Sequence, residues 1–181
     1  MNSARIHIFG ASGSGTTTLG EEVARRIHVP FFDVDSYFWM ATDPPFTEKR
    51  PVDERIAALD QDIDDTAGWV ISGSMCGWGD PLMSRFSLAV FIYLDPKDRM
   101  QRIAERERKR YGTRIEPGGD MHQNHCYFME WASGYDSAGM DMRSLELHEW
   151  WIARLSCPVL RLDSGDSVEV LSKAVLETIG Q

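Results

Sequence analysis

Gly10-Ala11-Ser12-Gly13-Ser14-Gly15-Thr16-Thr17 is the stretch on which the reading of this chain turns. An apolar run, Ile6 to Phe9, leads into it, and a helical pattern, Thr18 to Ile27, leads out of it. Strand, glycine-rich turn and helix in that order let successive backbone N–H groups converge on one anion. The helix behind the turn adds its free N–H groups and the positive end of its dipole. The spacing matches G-x-x-x-x-G-K-[ST] at Gly10, Gly15 and Thr17. At the lysine position stands Thr16, which offers a neutral hydrogen bond and no charge.

Working outward, the rest of the chain supplies more strands and helices in alternation. Pro30 to Val34 is a short apolar run ending in Asp33-Val34-Asp35. Ser36 to Arg50 reads as irregular, because Asp43-Pro44-Pro45 blocks a helix. Pro51 suits a first helical residue, with Ile56, Leu59 and Ile63 on the apolar face. Trp69 to Ser72 and Leu88 to Leu94 read as strands, the second apolar throughout, as expected of a strand covered on both faces. A basic helix begins at Asp95-Pro96, and a loop follows from Tyr111 to Met121. Helical patterns cover roughly His122 to Ser133 and Met142 to Leu155. Cys157 to Leu162 is the last strand and Val168 to Ile179 the closing helix. The alternation predicts an α/β fold, a three-layer α-β-α arrangement around a five-stranded parallel sheet. One domain spans residues 1–181, with a lid and helical insertion at 111–155. Ligands of such sheets sit beyond the carboxyl ends of the strands, where the glycine loop, Asp33/Asp35, Gly73-Ser74, Asp95 and Asp163 fall.

Length and composition agree with one soluble globular domain: 181 residues, 43% hydrophobic and 26% charged. A net charge of −9 argues against nucleic acid or an anionic membrane as the main partner. The three cysteines, Cys76, Cys126 and Cys157, are scattered and read as reduced thiols. With no leader and no bilayer-length apolar run, the expected location is the cytoplasm.

Several side chains carry chemistry beside the loop. Gly10, Ser12, Gly13, Ser14, Gly15, Thr16, Thr17 and Thr18 are the nucleotide-phosphate candidates, and Thr17 offers its hydroxyl to Mg²⁺. Asp33 and Asp35, two apart in an extended chain, point the same way, toward the cleft. Arg102, Arg106, Lys109, Arg110 and Arg114 form a basic cluster at helical spacing, with Glu105 and Glu107 interleaved. Gly112, Gly118 and Gly119 would be hinges. Gly73, Ser74, Trp78 and Asp80 read as a substrate-facing loop, against the plainer reading that Trp78 covers the core. Arg50, Arg55 and Arg85 are the candidates for a nucleotide-monophosphate pocket. His122, His125 and Cys126 lack the second ligand pair that a structural zinc site needs. The aromatic residues after the lid leave a substrate cap and a homodimer surface open.

The order of these pieces resembles the P-loop kinases of small metabolites: nucleoside monophosphate, shikimate and gluconate kinases. The resemblance runs through the phosphate loop, Asp33-x-Asp35, Gly73-Ser74, Leu94-Asp95-Pro96, the arginine-rich helix and the loop at Asp163. More narrowly, Gly10 to Leu19 looks like a bacterial subgroup labelled adenylate-kinase-like. The resemblance implies a P-loop NTPase fold, Mg²⁺, and ATP or another NTP. It implies that Asp33 orders water on the metal, that Asp35 receives the acceptor hydroxyl, and that Arg106, Arg110 and Arg114 close on the phosphates. The expected activity is phosphoryl transfer to a small metabolite or nucleotide. With Thr16 in place of lysine, two other readings stand: a non-catalytic nucleotide or phosphate sensor, and a nucleotide hydrolase.

Overall fold

The computed structural model describes residues 3–180. Its strands are β1 (Arg5–Gly10), β2 (Phe31–Asp33), β3 (Trp69–Ser72), β4 (Leu88–Tyr93) and β5 (Val159–Asp163). They form one sheet in the order β2-β3-β1-β4-β5. Every pairing is parallel. The helices are α1 (Thr16–Ile27), α2 (Val34–Phe38), α3 (Val52–Asp64), α4 (Pro96–Tyr111), α5 (His122–Ser133), α6 (Leu145–Ile152) and α7 (Val168–Thr178). Short 3-10 turns lie at Asp80–Arg85, Gly112–Ile115 and Gly134–Asp136. This is the three-layer α/β architecture that the alternation of strands and helices implies.

The period of two along each central strand divides the core into two layers. Ile6 and Ile8 of β1, Val70 of β3 and Leu88, Val90 and Ile92 of β4 face one side, where Leu19, Val23 and Ile27 of α1 and Leu171 and Val175 of α7 cover them. Phe9, Trp69, Ile71, Ala89 and Phe91 face the other side, against Leu59 and Ile63 of α3, Leu82, Phe86 and Trp151. A helix that buries positions 19, 23, 24 and 27 shows the spacing of a one-faced helix. His7 lies among the apolar residues of the second layer, its ring 4.9 Å from Phe9, 4.9 Å from Phe86 and 5.1 Å from Trp151. Its Nε2 bonds to the Gly73 carbonyl at 2.8 Å, and burial pushes its pKa down to about 4.

Two expectations need correction. Ser36 to Arg50 is not wholly irregular, because Asp33 caps a helix there: its carboxylate accepts from the Asp35 N–H at 2.9 Å. The aspartate pair therefore lies at a strand-to-helix junction, and not on one extended strand. The second helix after the lid is also shorter than its apolar pattern. Ser144, accepting from the Leu147 N–H at 3.0 Å, fixes its start.

The segment after the lid is pinned to the sheet by a buried cation. Arg99, with no exposed surface, donates to Asp136 at 2.6 Å, and the Tyr93 hydroxyl donates to the same carboxylate at 3.0 Å. Among the described residues no helix is long and apolar enough to cross a membrane.

Candidate active site

The central strand β1 ends in the glycine turn, so the turn sits between the ends of β3 and β4. Gly10 is required by close approach: a Cβ there would meet the Ile92 carbonyl oxygen at 2.3 Å. Gly15 has φ +92° and is the residue before α1, with no side chain capping the helix. Its left-handed backbone is costly for other residues, and the uncapped first turn leaves N–H donors directed at the cleft. Ser14 is fully buried and braces the turn, its hydroxyl donating to the Ala11 carbonyl at 2.8 Å.

A cleft of about 670 Å³ opens on this helix end. Gly13, Gly15, Thr16, Thr17, Thr18, Asp33, Asp35, Ser36, Phe46, Arg102, Arg106 and Arg110 line it. The structure thus brings the glycine turn, both aspartates and three of the helix arginines to one place. Thr17 Oγ1 donates to Asp33 Oδ2 at 3.2 Å. Burial raises the Asp33 pKa, and the nearby Asp35 charge adds to the rise while the bonds from Asp35 N–H and Thr17 oppose it. Hard oxygen donors of this kind suit Mg²⁺. Among the described residues no three His, Cys, Asp or Glu side chains gather into a metal cage. The pair therefore fits an ion that takes its remaining ligands from phosphate and water.

Three guanidinium groups stand where Thr16 brings no charge. Arg102 donates to the Ser164 carbonyl at 3.1 Å and hydroxyl at 3.3 Å. The Ser164 hydroxyl in turn donates to the Ser14 carbonyl, so the loop after β5 clamps Arg102 over the glycine turn. Arg102 Nη1 lies 3.9 Å from the point a Gly15 Cβ would occupy. Arg106 and Arg110 have no carboxylate partner among the described residues; they rest on the rings of Phe128 at 5.8 Å and Phe46 at 4.8 Å. Burial lowers the Arg106 pKa, with the Arg110 charge adding to the fall.

Other candidates lie elsewhere. Arg114 is outside the cleft lining and pairs with Asp120 at 2.7 Å. Trp78 is 5% exposed and packed in the core. Asp80 accepts from Trp151 Nε1 at 3.1 Å and from Arg154 at 2.6 Å, tying the end of α6 to the 3-10 turn that follows β3. Gly73, at φ +106°, sits where a Cβ would meet Val34 at 2.8 Å. Ser74 is buried and bonded to His148 Nε2 at 2.9 Å, while His148 Nδ1 meets the Tyr135 hydroxyl at 2.7 Å. Ser12 is half-buried beside the turn and outside the cleft lining. The three arginines considered for a monophosphate pocket are engaged: Arg85 pairs with Asp60 and Asp64, Arg55 stacks on Phe38 at 3.9 Å, and Arg50 donates to the Tyr37 carbonyl at 3.1 Å.

One further cation has no counterpart among the sequence candidates. Arg143 is half-buried between α5 and α6, over the Trp131 ring at 5.4 Å. Burial lowers its pKa, and the charge of Asp35 is the first to oppose that fall. A lone arginine ahead of an apolar helix carries no motif, and its position just before the Ser144 cap was the one available signal.

The family described as an AAA domain matches residues 6–126. A Bacillus subtilis (strain 168) protein named "Uncharacterized protein YqaC" is 44% identical over 172 residues, 95% of each chain. A shikimate kinase of Bacteroides fragilis (strain YCH46) is 28% identical over 116 residues, covering 59% of this chain and 65% of that protein. Among solved structures, a shikimate kinase from Bacteroides thetaiotaomicron superposes with a TM-score of 0.60 at 18% identity, over 98% of this chain and 99% of that one. A gluconokinase from Sinorhizobium meliloti 1021 gives 0.56 at 15% identity, over 97% and 90%.

Proposed function

The chain belongs to the AAA domain family, and from that membership we propose that it is a P-loop kinase transferring the γ-phosphoryl group of ATP to a small metabolite. It would be of the adenylate-kinase-like bacterial type and would work with Mg²⁺ in the cytoplasm. The observation that carries the reading is the cleft itself. An uncapped helix end, the Thr17–Asp33 pair, Asp35 and three arginines surround one space. The kinase names of the relatives support the same class of reaction.

The roles follow from charge and reach. The N–H groups of the glycine turn and the first turn of α1 hold the phosphates. Thr17 and Asp33 hold Mg²⁺ and its water; the ion, when bound, offsets phosphate charge. Arg102, Arg106 and Arg110 supply the positive charge that a lysine at position 16 would have brought. Asp35 receives the proton of the acceptor hydroxyl. The acceptor oxygen bonds to the γ-phosphorus as the bond to the β–γ bridging oxygen breaks, and ADP leaves. Most of the acceleration comes from placing the two substrates and neutralising charge. The partners are then a nucleotide and a small acceptor, without nucleic acid or membrane, with a homodimer as the candidate assembly.

ADP release in the presence and absence of a panel of small hydroxylated acceptors tests this. Acceptor-dependent ADP release is expected. ADP release that needs no acceptor would make the protein a hydrolase. Tight nucleotide binding with no turnover would make it a sensor, the reading that Thr16 favours.

A further inference from the structure

Ser164 joins three parts of the chain that are far apart in sequence: the end of β4, the glycine turn and α4. It follows β5 directly and is 4% exposed, and its N–H donates to the Tyr93 carbonyl at 2.7 Å. That bond carries the β4–β5 pairing one residue further and fixes the Ser164 backbone to the sheet. From there its hydroxyl donates to the Ser14 carbonyl, 150 residues away in the chain. The same hydroxyl accepts from Arg102 Nη1 at 3.3 Å, and the Ser164 carbonyl accepts from Arg102 Nη2 at 3.1 Å.

Each bond has a consequence at the cleft. A trans peptide points its N–H opposite to its C=O. With the Ser14 carbonyl held by Ser164, the Gly15 N–H is turned away from Ser164. Ser164 lines a side cavity of about 210 Å³ and not the main cleft, whereas Gly15 lines both. The hold on the carbonyl thus aims the Gly15 N–H at the main cleft, where it can donate to an anion. Without it little opposes a flip of this peptide, because a glycine at position 15 accepts either sign of φ.

Arg102 is held from the same point. Of the three cleft arginines it is the one fixed by hydrogen bonds among the described residues, while Arg106 and Arg110 rest on ring faces. A guanidinium carries five N–H donors, so two spent on Ser164 leave the others for phosphate oxygens. Alanine would fill the space of Ser164 as well. What alanine lacks is the hydroxyl that donates to one partner and accepts from the other.

We propose that Ser164 is a positioning residue of the phosphate site: its hydroxyl locks the Ser14–Gly15 peptide and the Arg102 guanidinium together in the orientation that receives a polyphosphate. It lies outside the main cleft lining and acts through these two neighbours. The phosphate site is then completed by the loop after the last strand, and not by the glycine turn alone. This rests on the reading of the cleft as a nucleoside triphosphate site.

The test uses the full chain and inorganic tripolyphosphate, a probe with neither base nor sugar. In calorimetric titrations Ser164→Ala should bind it about ten-fold more weakly than wild type, the loss of one hydrogen bond to a charged group. Ser164→Thr keeps the hydroxyl and should bind more tightly than Ser164→Ala. Arg102→Gln should weaken binding by itself, and Ser164→Ala should cost less in that background than in wild type. Amide NMR reads the peptide directly. In wild type the Gly15 amide proton should move downfield on adding tripolyphosphate, and in Ser164→Ala that movement should shrink. Retained affinity in Ser164→Ala, an undiminished Gly15 movement, or losses strictly additive with Arg102→Gln each overturn the assignment. So does a threonine variant no better than alanine, or a lower melting temperature with affinity intact, which makes Ser164 scaffold alone. No tripolyphosphate binding by the wild type overturns the phosphate site and this assignment together. The expected losses in binding without acceptor-dependent phosphoryl transfer uphold Ser164 and overturn the kinase reading alone.

Discussion

Thr17 Oγ1 donates to Asp33 Oδ2 across 3.2 Å, which ties the first turn of α1 to the end of β2. The bond joins the helix that follows the glycine turn to the carboxyl end of the edge strand β2. Removing the hydroxyl takes away both a brace and an oxygen donor. Thr17→Ala should lower Mg²⁺-dependent nucleotide turnover roughly 10–100-fold, the usual cost of disturbing a metal's immediate support. Titration of Mg²⁺ at fixed nucleotide checks it. An unchanged Mg²⁺ requirement would remove Thr17 and Asp33 from the metal.

The carboxylate in that pair gives a pH signature. Burial raises the folded-state pKa of Asp33 above its ordinary value. The folded protein therefore holds this proton more tightly than the unfolded chain. The resulting stability is present below the ordinary carboxylate pKa and is lost as pH rises through the raised one. At neutral pH without ligands, Asp33→Asn should melt higher than wild type, and the difference should shrink as pH falls into the carboxylate range. Melting curves across pH measure it. The same variant should lose the stabilisation that Mg²⁺ and nucleotide give the wild type.

The two buried histidines act in the opposite direction. Burial holds His7 down to about 4 and His148 to about 3, the latter helped by the positive charge of Arg143. Both lie below the unfolded value near 6.5, so the unfolded chain takes up protons first as pH falls. Stability from each is complete above about 6.5 and is lost on the way down through the folded pKa. Near pH 5 each histidine should contribute a slope of ~1.4 kcal/mol per pH unit. His7→Phe fits the surrounding rings and should remove one such increment. Denaturant titrations between pH 4.5 and 6 read the slope directly, and an unchanged slope would show that His7 takes up no proton on unfolding.

Asp80 tests the boundary between site and scaffold. It was a substrate candidate by its place after β3. Its carboxylate holds Trp151, which has no exposed surface, and Arg154. Asp80→Ala leaves the indole N–H buried without a partner, at a cost of roughly 1–3 kcal/mol. Nucleotide binding should be unaffected. Chemical denaturation beside a nucleotide titration separates the two, and a loss confined to binding would restore Asp80 to the site.

What the sequence made legible was set by local chemistry. Glycine spacing fixes the phosphate turn, because only backbone without a Cβ fits under Ile92 and through the left-handed turn at Gly15. β3 and β4 were visible because both faces are covered, which leaves continuous apolar runs. The arginine cluster was visible as a cluster, yet its division was not. Arg102, Arg106 and Arg110 share a helical face toward the cleft, while Arg114 falls beyond the helix end and meets Asp120. Tertiary partners decide between ligand and scaffold, and those partners lie far along the chain: Trp151 for Asp80, His148 for Ser74. Arg143 was silent for the converse reason. Among the described residues it makes no hydrogen bond and no ion pair, only the contact with the Trp131 ring, and no sequence pattern records that.

The substitution that began as an anomaly gives the most direct test of how charge is arranged. Thr16 opens α1 at the cleft, with Arg102, Arg106 and Arg110 lining the same space. If these arginines have taken over the role of a loop lysine, restoring that lysine should make part of their charge redundant. Thr16→Lys should bind triphosphate about ten- to a hundred-fold tighter, the range for a hydrogen bond to a charged group. Without nucleotide it should melt lower, since a fourth cation joins three. Arg106→Gln should weaken triphosphate binding in wild type and weaken it less in the Thr16→Lys background. That double-mutant cycle isolates the coupling between positions 16 and 106. Strictly additive effects would mean that Arg106 and a lysine at position 16 serve different phosphates, and the compensation argued for Thr16 would then fall to Arg102 or Arg110.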